Sequence, residues 1–326
     1  MLDFWKCPDM NSAWCYEFHH TRNLRTDQKG MMVEFSEHFF TATDGLRTYF
    51  RLYLARGARE KIPVLCMHGL TRNSRDFEEI APRIAAKGHN VIAVDIRGRG
   101  KSGYDTQYDN YNLSKYVEDV QGLLRRMGWS RIIAIGASMG GLMVMMLSAA
   151  RPGLLAGAVL NDIGPVINPE GLARIQDYVG GSDSFASWAD AADAVRAING
   201  IAFPDETGTD FWLAFAHRIC REKPDGDIVF DYDPNISRPV QNEDEASPDL
   251  WLLFASLRST PLLLVRGALT DLLTMDCVRE MSRRHGRMKL AQVADVGHAP
   301  LLTEPDAWGS ISDFLDTLDH HTPKGQ

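Results

Sequence analysis

The chain is poor in cysteine. Its 326 residues hold five: Cys7, Cys15, Cys66, Cys220 and Cys277. The number is odd and no pair has CxxC spacing, which argues against a disulfide frame and for reduced thiols in a cytoplasmic setting. Cys7, Cys15, His19 and His20 match no compact zinc pattern, so no metal is expected. Long apolar runs are also missing. The longest, "LMVMMLSAA", is too short to cross a bilayer. The first residues mix Asp3, Lys6 and Asp9 with aromatics and do not read as a leader. A basic surplus is absent too: 35 Lys and Arg stand against 43 Asp and Glu, a formal charge of -8. Nucleic acid and anionic membrane are therefore poor partners, and the acidity reads as solubility. No internal repeat or low-complexity tract occurs.

What the chain does have is material for a core, with 44% hydrophobic residues. That suits one large domain or a domain with an insert. Residues 1–34 read as an extension without periodic pattern, yet rich in aromatics (Phe4, Trp5, Trp14, Tyr16, Phe18). The extension reads as an arm on the body or on a second copy, or as residues upstream of an alternative start at Met31 or Met32. The body, from residue 35 to 164, then alternates. "EHFFTAT" and "LRTYFRLYL" flank Asp44-Gly45, a hairpin signal. "IPVLCMHG", "NVIAVDIRG", "RIIAIGAS" and "LLAGAVLNDIG" are buried-strand runs separated by helical segments near 76–87, 113–127 and 139–150. Strands without alternation between helices predict a parallel sheet covered on both faces.

The alternation breaks after Pro165. Residues 165–250 read as a helical insert. "SWADAADAVRAI" has Ser187 at a cap position and Trp188, Ala191, Val195 and Ile198 on one face. "DFWLAFAHRI" puts Phe211, Phe215 and Ile219 on one face. Residues 251–326 resume the α/β pattern with "TPLLLVRG", a helix from about Thr274 ending "RRHG", then "MKLAQVAD" and a last helix near 306–318.

The stretch "AIGASMGG" at 134–141 fits G-x-S-x-G between a strand and a helix. The turn is too tight for side chains at the flanking positions, and glycine tolerates its backbone angles. The serine oxygen is lifted clear of the sheet at a helix N-terminus, where developing negative charge is favoured. A serine hydroxyl needs a base and an orienting acid. His298 in "DVGHAP" and Asp271 in "RGALTD" both follow strand-like runs and supply them.

Here the sequence resembles the α/β-hydrolase superfamily, over about residues 36–320. The resemblance rests on "HGL" at 68–70, "DIRGRGKS" at 95–102, "GASMGG" at 136–141, "RGALTD" and "GHAP". It implies an α/β-hydrolase fold: a mostly parallel sheet, helices on both faces, and a helical cap inserted after the sixth strand. It implies Ser138 as nucleophile, His298 as base and then acid, and Asp271 as the acid that holds the imidazole. The backbone N–H groups of Leu70 and Met139 would form the oxyanion hole. Asp162, in "NDIGP", is the rival acid, since some hydrolases place it after the sixth strand; motif order favours Asp271. His68, Asp95, Arg97 and Arg99 read as loop anchors. Arg72 and Asn73 face either substrate or water.

The resemblance implies hydrolysis of a small to medium, largely apolar ester or lactone, with no cofactor. C–C bond hydrolysis, cofactor-free oxygenation or perhydrolysis, and non-turnover binding of a small molecule are the alternatives on this fold. A serine at the elbow excludes the aspartate chemistry of dehalogenases and epoxide hydrolases. A small-molecule substrate is the expected partner, and self-association stays open. Aromatics of the insert are expected to roof an enclosed, mostly apolar cavity suited to acyl chains of about two to eight carbons.

Overall fold

The computed structural model describes residues 21–26, 32–57, 61–181, 183–238 and 249–320; for residues 21–26, 32, 33 and 320 only the backbone is described. Cys7, Cys15, His19, His20 and the aromatics of residues 1–20 lie outside these segments. The first strand, β1 (Thr21–Thr26), falls within what the sequence suggests is an extension without regular structure, and pairs antiparallel with β2 (Met32–Thr41). Strand β3 (Arg47–Tyr53) returns against β2. Their turn is wider than the two residues Asp44-Gly45: Ala42 N–H bonds Leu46 O, and Gly45 sits at φ 89°.

Strands β4 (Val64–Met67), β5 (Val91–Asp95), β6 (Ile132–Ala137) and β7 (Leu155–Asn161) follow. Helices α1 (Ile80–Ala86), α2 (Leu113–Arg126) and α3 (Met139–Ala150) alternate with them. After an insertion come α7 (Leu250–Ala255), β11 (Leu262–Gly267), α8 (Met275–His285), β12 (Lys289–Val293) and α9 (Pro305–His320). The sheet has nine strands in the order β1-β2-β3-β5-β4-β6-β7-β11-β12. The pairs from β5 through β12 are parallel; those from β1 to β3 and from β3 to β5 are antiparallel.

The continuous apolar runs have a direct cause in this layering. In β6, Ile132 and Ala134 join one core while Ile133 and Ile135 join the other. The first core holds α2, α3 and α8; the second holds α1 and α9. A strand buried on both faces needs apolar residues at every position. Helix starts are set by local chemistry: Asn112, Ser187 and Thr274 each accept a backbone N–H of the first turn.

The insertion lies between β7 and β11. It contains α4 (Pro169–Tyr178), α5 (Trp188–Asn199) and α6 (Thr209–Ile219). It also contains β8 (Ser184–Phe185), β9 (Cys220–Glu222) and β10 (Ile228–Phe230), a three-stranded antiparallel sheet that the sequence does not announce. Phe203, Phe211, Trp212 and Phe215 pack ring against ring with centroids 5.0–6.5 Å apart. No helix among the described residues is long and apolar enough to cross a membrane.

Candidate active site

Ser138 lies between β6 and α3 at φ 50° and ψ -116°. Its hydroxyl makes no capping bond to α3. Space explains the neighbouring glycines. A Cβ on Gly136 would stand 2.3 Å from Gly140 O, and one on Gly140 would stand 2.1 Å from Met67 O. Both obstacles are backbone, so neither moves aside cheaply. The close approach of β6, α3 and the end of β4 is what turns Ser138 outward.

Ser138 Oγ lies 2.9 Å from His298 Nε2, and His298 Nδ1 lies 2.8 Å from Asp162 Oδ2. A carboxylate can only accept, so Nδ1 carries the proton and Nε2 accepts from the serine hydroxyl. Asp162 is fully buried and sits at φ 56°. It also accepts from Gly267 N–H at 3.0 Å and Thr270 Oγ at 2.5 Å. Asn161, one residue earlier, ties two parts of the site together. Its carbonyl accepts Ser138 N–H at 2.9 Å, and its Nδ2 donates to Pro300 O at 2.8 Å.

The expectation for the acid therefore needs correction. Asp271 does not hold the imidazole; Asp162 does. The Asp271 carboxylate is turned to Arg174 on α4, which donates to it at 2.5 and 2.9 Å. Those hydrogen bonds hold its pKa below the usual carboxylate range. Two loops at the same end of the sheet each offer an aspartate, and the guanidinium captures one of them.

Met139 follows Ser138 in the chain, and Leu70 lines the same cavity as Ser138. A Cβ on Gly69 would stand 3.6 Å from Ser138 Cβ, so the turn leading into Leu70 passes close to Ser138. Met139 is the first residue of α3, where backbone N–H groups have no partner within the helix. Buried Arg99 fixes the turn by donating Nε to Leu70 O at 2.9 Å. Buried His68 adds a second tie. Ile96 N–H donates to its Nε2 at 3.0 Å, and its Nδ1 donates to Gly69 O at 2.7 Å. Burial pushes the His68 pKa down to about 4, so the ring is neutral there.

Arg97 is fully buried among Asp119, Asp105 and Asp44, with contacts of 2.6–2.9 Å. Asp95 accepts the N–H groups of Ser74 and Lys101. Both are anchors of the "DIRGRG" loop. Arg72 lines the cavity, held by Asp76 and lying 4.4 Å from the Phe215 ring centroid. Asn73 points elsewhere, to Arg218 O at 3.1 Å.

Ser138, His298 and Leu70 share a cavity of about 90 Å³. Tyr178, Phe203 and Phe215 of the insertion line it too. Its wall is less apolar than expected, since Arg72, Asp76 and Asn199 line it as well. Among the described residues no group of His, Cys, Asp or Glu is arranged to hold a metal. Thr270 and Asn161 are the contributors that sequence reasoning missed. Thr270 was visible only as the neighbour of Asp271 in "RGALTD", and Asn161 only as the residue before Asp162.

Fold and comparison define the class. The α/β-hydrolase fold family matches residues 62–305, and the chain belongs to it. A 3-hydroxybutyrate-oligomer hydrolase of Cupriavidus necator is 30% identical over 253 residues, 74% of this chain and 84% of that protein. A 2-(acetamidomethylene)succinate hydrolase of Mesorhizobium japonicum is 31% identical over 257 residues, 78% of this chain and 87% of that protein. The crystal structure of an α/β hydrolase from Novosphingobium aromaticivorans superposes with a TM-score of 0.81 at 41% identity, covering 88% of this chain and 99% of that one.

Proposed function

We propose that this protein is a serine hydrolase of small to medium carboxylic esters or lactones, working through an acyl-enzyme on Ser138. The observation that carries the reading is the unbroken chain Ser138 Oγ–His298 Nε2 and His298 Nδ1–Asp162 Oδ2, at 2.9 and 2.8 Å, opening on one cavity. Ser138 Oγ attacks the carbonyl carbon as its proton passes to His298 Nε2. Asp162 stabilises the imidazolium and holds the ring in place. The carbonyl oxygen takes up negative charge at the N–H groups of Leu70 and Met139, in a site with little water to reorganise. Collapse of the adduct expels the alcohol, which takes the proton from His298. Water then repeats the sequence on the acyl-enzyme, and the acid leaves. In a lactone the expelled alcohol stays attached to the acyl group. The reaction needs no metal or organic cofactor.

The insertion acts as a cap over the nucleophile. Tyr178, Phe203 and Phe215 limit the acyl group to a short chain, and the Arg72–Asp76 pair gives one wall polar character. The named activity of the Cupriavidus relative, hydrolysis of 3-hydroxybutyrate oligomers, supports an ester as the bond cleaved.

Ser138→Ala tests the reading. It should leave the thermal transition in place and lower turnover of p-nitrophenyl acetate by about 10³-fold or more. A serine-directed phosphonate should label Ser138 alone, read by mass spectrometry. Near-native turnover in the variant removes the assignment. Wild-type labelling with only a single turnover would favour a binding protein instead.

A further inference from the structure

The loop between β11 and α8 touches the triad acid with one residue and the cap with the next. Thr270 Oγ donates to Asp162 Oδ2 at 2.5 Å. The same oxygen accepts Leu272 N–H at 3.2 Å, which fixes the direction of its proton toward the carboxylate. His298 Nδ1 bonds that same Oδ2, while Gly267 N–H occupies Oδ1. Thr270 is therefore one of three donors, with His298 Nδ1 and Gly267 N–H, that together fix the rotation of the Asp162 carboxylate. Asp162 is fully buried, so if Thr270 were lost His298 Nδ1 would be the remaining donor to Oδ2, with no water at hand to restore the second bond.

Asp271 faces the other way. Arg174 on α4 grips it with two hydrogen bonds. Asn168, just before α4, donates Nδ2 to Asp271 O at 2.7 Å and its N–H to Leu272 O at 2.9 Å. The fit is close: a Cβ on Gly171 would stand 2.7 Å from Asp271 O. Helix α4 is thus seated on residues 271 and 272, and residue 270 sits on the triad.

We propose that Thr270 is a positioning residue for Asp162, and that the seat of cap helix α4, through Arg174 and Asp271, sets Thr270 in place. The position of the cap is thereby coupled to the orientation of the acid. This rests on the hydrolase reading above and adds residues that touch neither substrate nor reacting atoms. The geometry gives a direction to the coupling. Loosening α4 frees the loop that holds Thr270, and a misplaced Thr270 lets Asp162 turn away from His298.

The test uses the full chain, with Thr270→Val, Thr270→Ala, Thr270→Ser, Arg174→Met and the double variant Thr270→Val/Arg174→Met. Two assays are read: steady-state kcat and KM for p-nitrophenyl acetate, and the rate of phosphonate labelling at Ser138. Labelling needs an activated serine but no particular ester. Thr270→Val and Thr270→Ala should lower kcat and labelling about tenfold with KM within about twofold, and Thr270→Ser should restore most of the loss. Arg174→Met should cost about threefold in kcat. The double variant should cost no more than Thr270→Val alone, since both act on one link. Native kcat and labelling in Thr270→Ala, or failure of Thr270→Ser to restore them, overturns the positioning role. Multiplied losses in the double variant overturn the coupling to the cap. A wild type that labels at Ser138 but cleaves no ester removes the ester reading, and the labelling rates then still decide the role of Thr270.

Discussion

Ser138 and Asp162 are both non-glycine residues at positive φ, 50° and 56°. Each such conformation costs about 1–3 kcal/mol and persists only where the surroundings impose it. Here the surroundings impose both for one purpose, since the two side chains converge on His298 from neighbouring strand ends. The acid assignment follows as a measurable difference. Asp162→Asn leaves His298 Nδ1 facing an amide and should lower kcat for a short ester by about 10⁴-fold. Asp271→Asn keeps the 2.8 Å contact between His298 and Asp162 and loses only charge on Arg174. Its loss should stay within about tenfold. Steady-state rates on p-nitrophenyl acetate check both, and a larger loss from Asp271→Asn would restore that residue as the acid. That Ser138 and His298 belong to one site was legible in the sequence, because short motifs fix their geometry locally. The acid was not. Asp162 and Asp271 both follow strands at one end of the sheet, and the choice depends on Arg174, a distant residue whose place in the fold no motif announces.

The same division holds for the elements. Strands β4 to β7 and β11 were legible because double burial demands unbroken apolar runs, and the helix starts at Ser187 and Thr274 because their side chains satisfy free N–H groups. Strands β1, β8, β9 and β10 were not, because none carries an apolar run longer than three residues and their pairing is decided by partners elsewhere in the chain. The "DIRGRG" loop after β5 shows how a segment without pattern is held. Arg97→Met would leave Asp44, Asp105 and Asp119 facing one another without their shared cation. The loss should be about 3–5 kcal/mol of stability, seen as a lower urea midpoint, and an unchanged midpoint would mean the carboxylates find other partners. The end of β4 makes a pH-dependent contribution. His68 keeps its proton off until about pH 4 in the fold, whereas an unfolded histidine protonates near 6.5. The unfolded chain thus takes up the proton first. Stability from this residue is complete above about pH 6.5 and is lost as pH falls toward 4, on the order of 3 kcal/mol in all. Urea midpoints at pH 7, 6, 5 and 4.5 should fall more steeply for the wild type than for His68→Gln, and parallel curves would contradict it.

At the scale of the whole molecule, the question is whether the insertion, proposed above to act as a cap, opens. It is bound to the core at many points. Asn73 Nδ2 and Arg75 reach Arg218 O and Asp231, at 3.1 and 2.5 Å. Arg174 holds Asp271, Gly297 N–H donates to Ala202 O at 2.7 Å, and Arg218 reaches Glu79 at 2.9 Å. Several of these partners are buried, so breaking them together would expose unpaired polar groups at about 1–3 kcal/mol each. A lid that swings at an oil–water interface would have to break them all. The cavity at Ser138 is also small, about 90 Å³, and Tyr178, Phe203 and Phe215 of the insertion line part of its wall. Each methylene buried in it gains about 0.8 kcal/mol until the space is filled, after which the next one must displace packed rings at about 1–3 kcal/mol. Rates should therefore climb and turn over within a few carbons. Across p-nitrophenyl acetate, butyrate, hexanoate, octanoate and palmitate, kcat/KM should peak at about two to four carbons and fall by about tenfold or more by octanoate. Palmitate should be cleaved at background rate, with no jump in rate where the ester forms droplets. A palmitate optimum, or a rate that rises sharply at the solubility limit, would mean that the contacts at Arg174, Arg75 and Gly297 release together and that the cap is a moving lid.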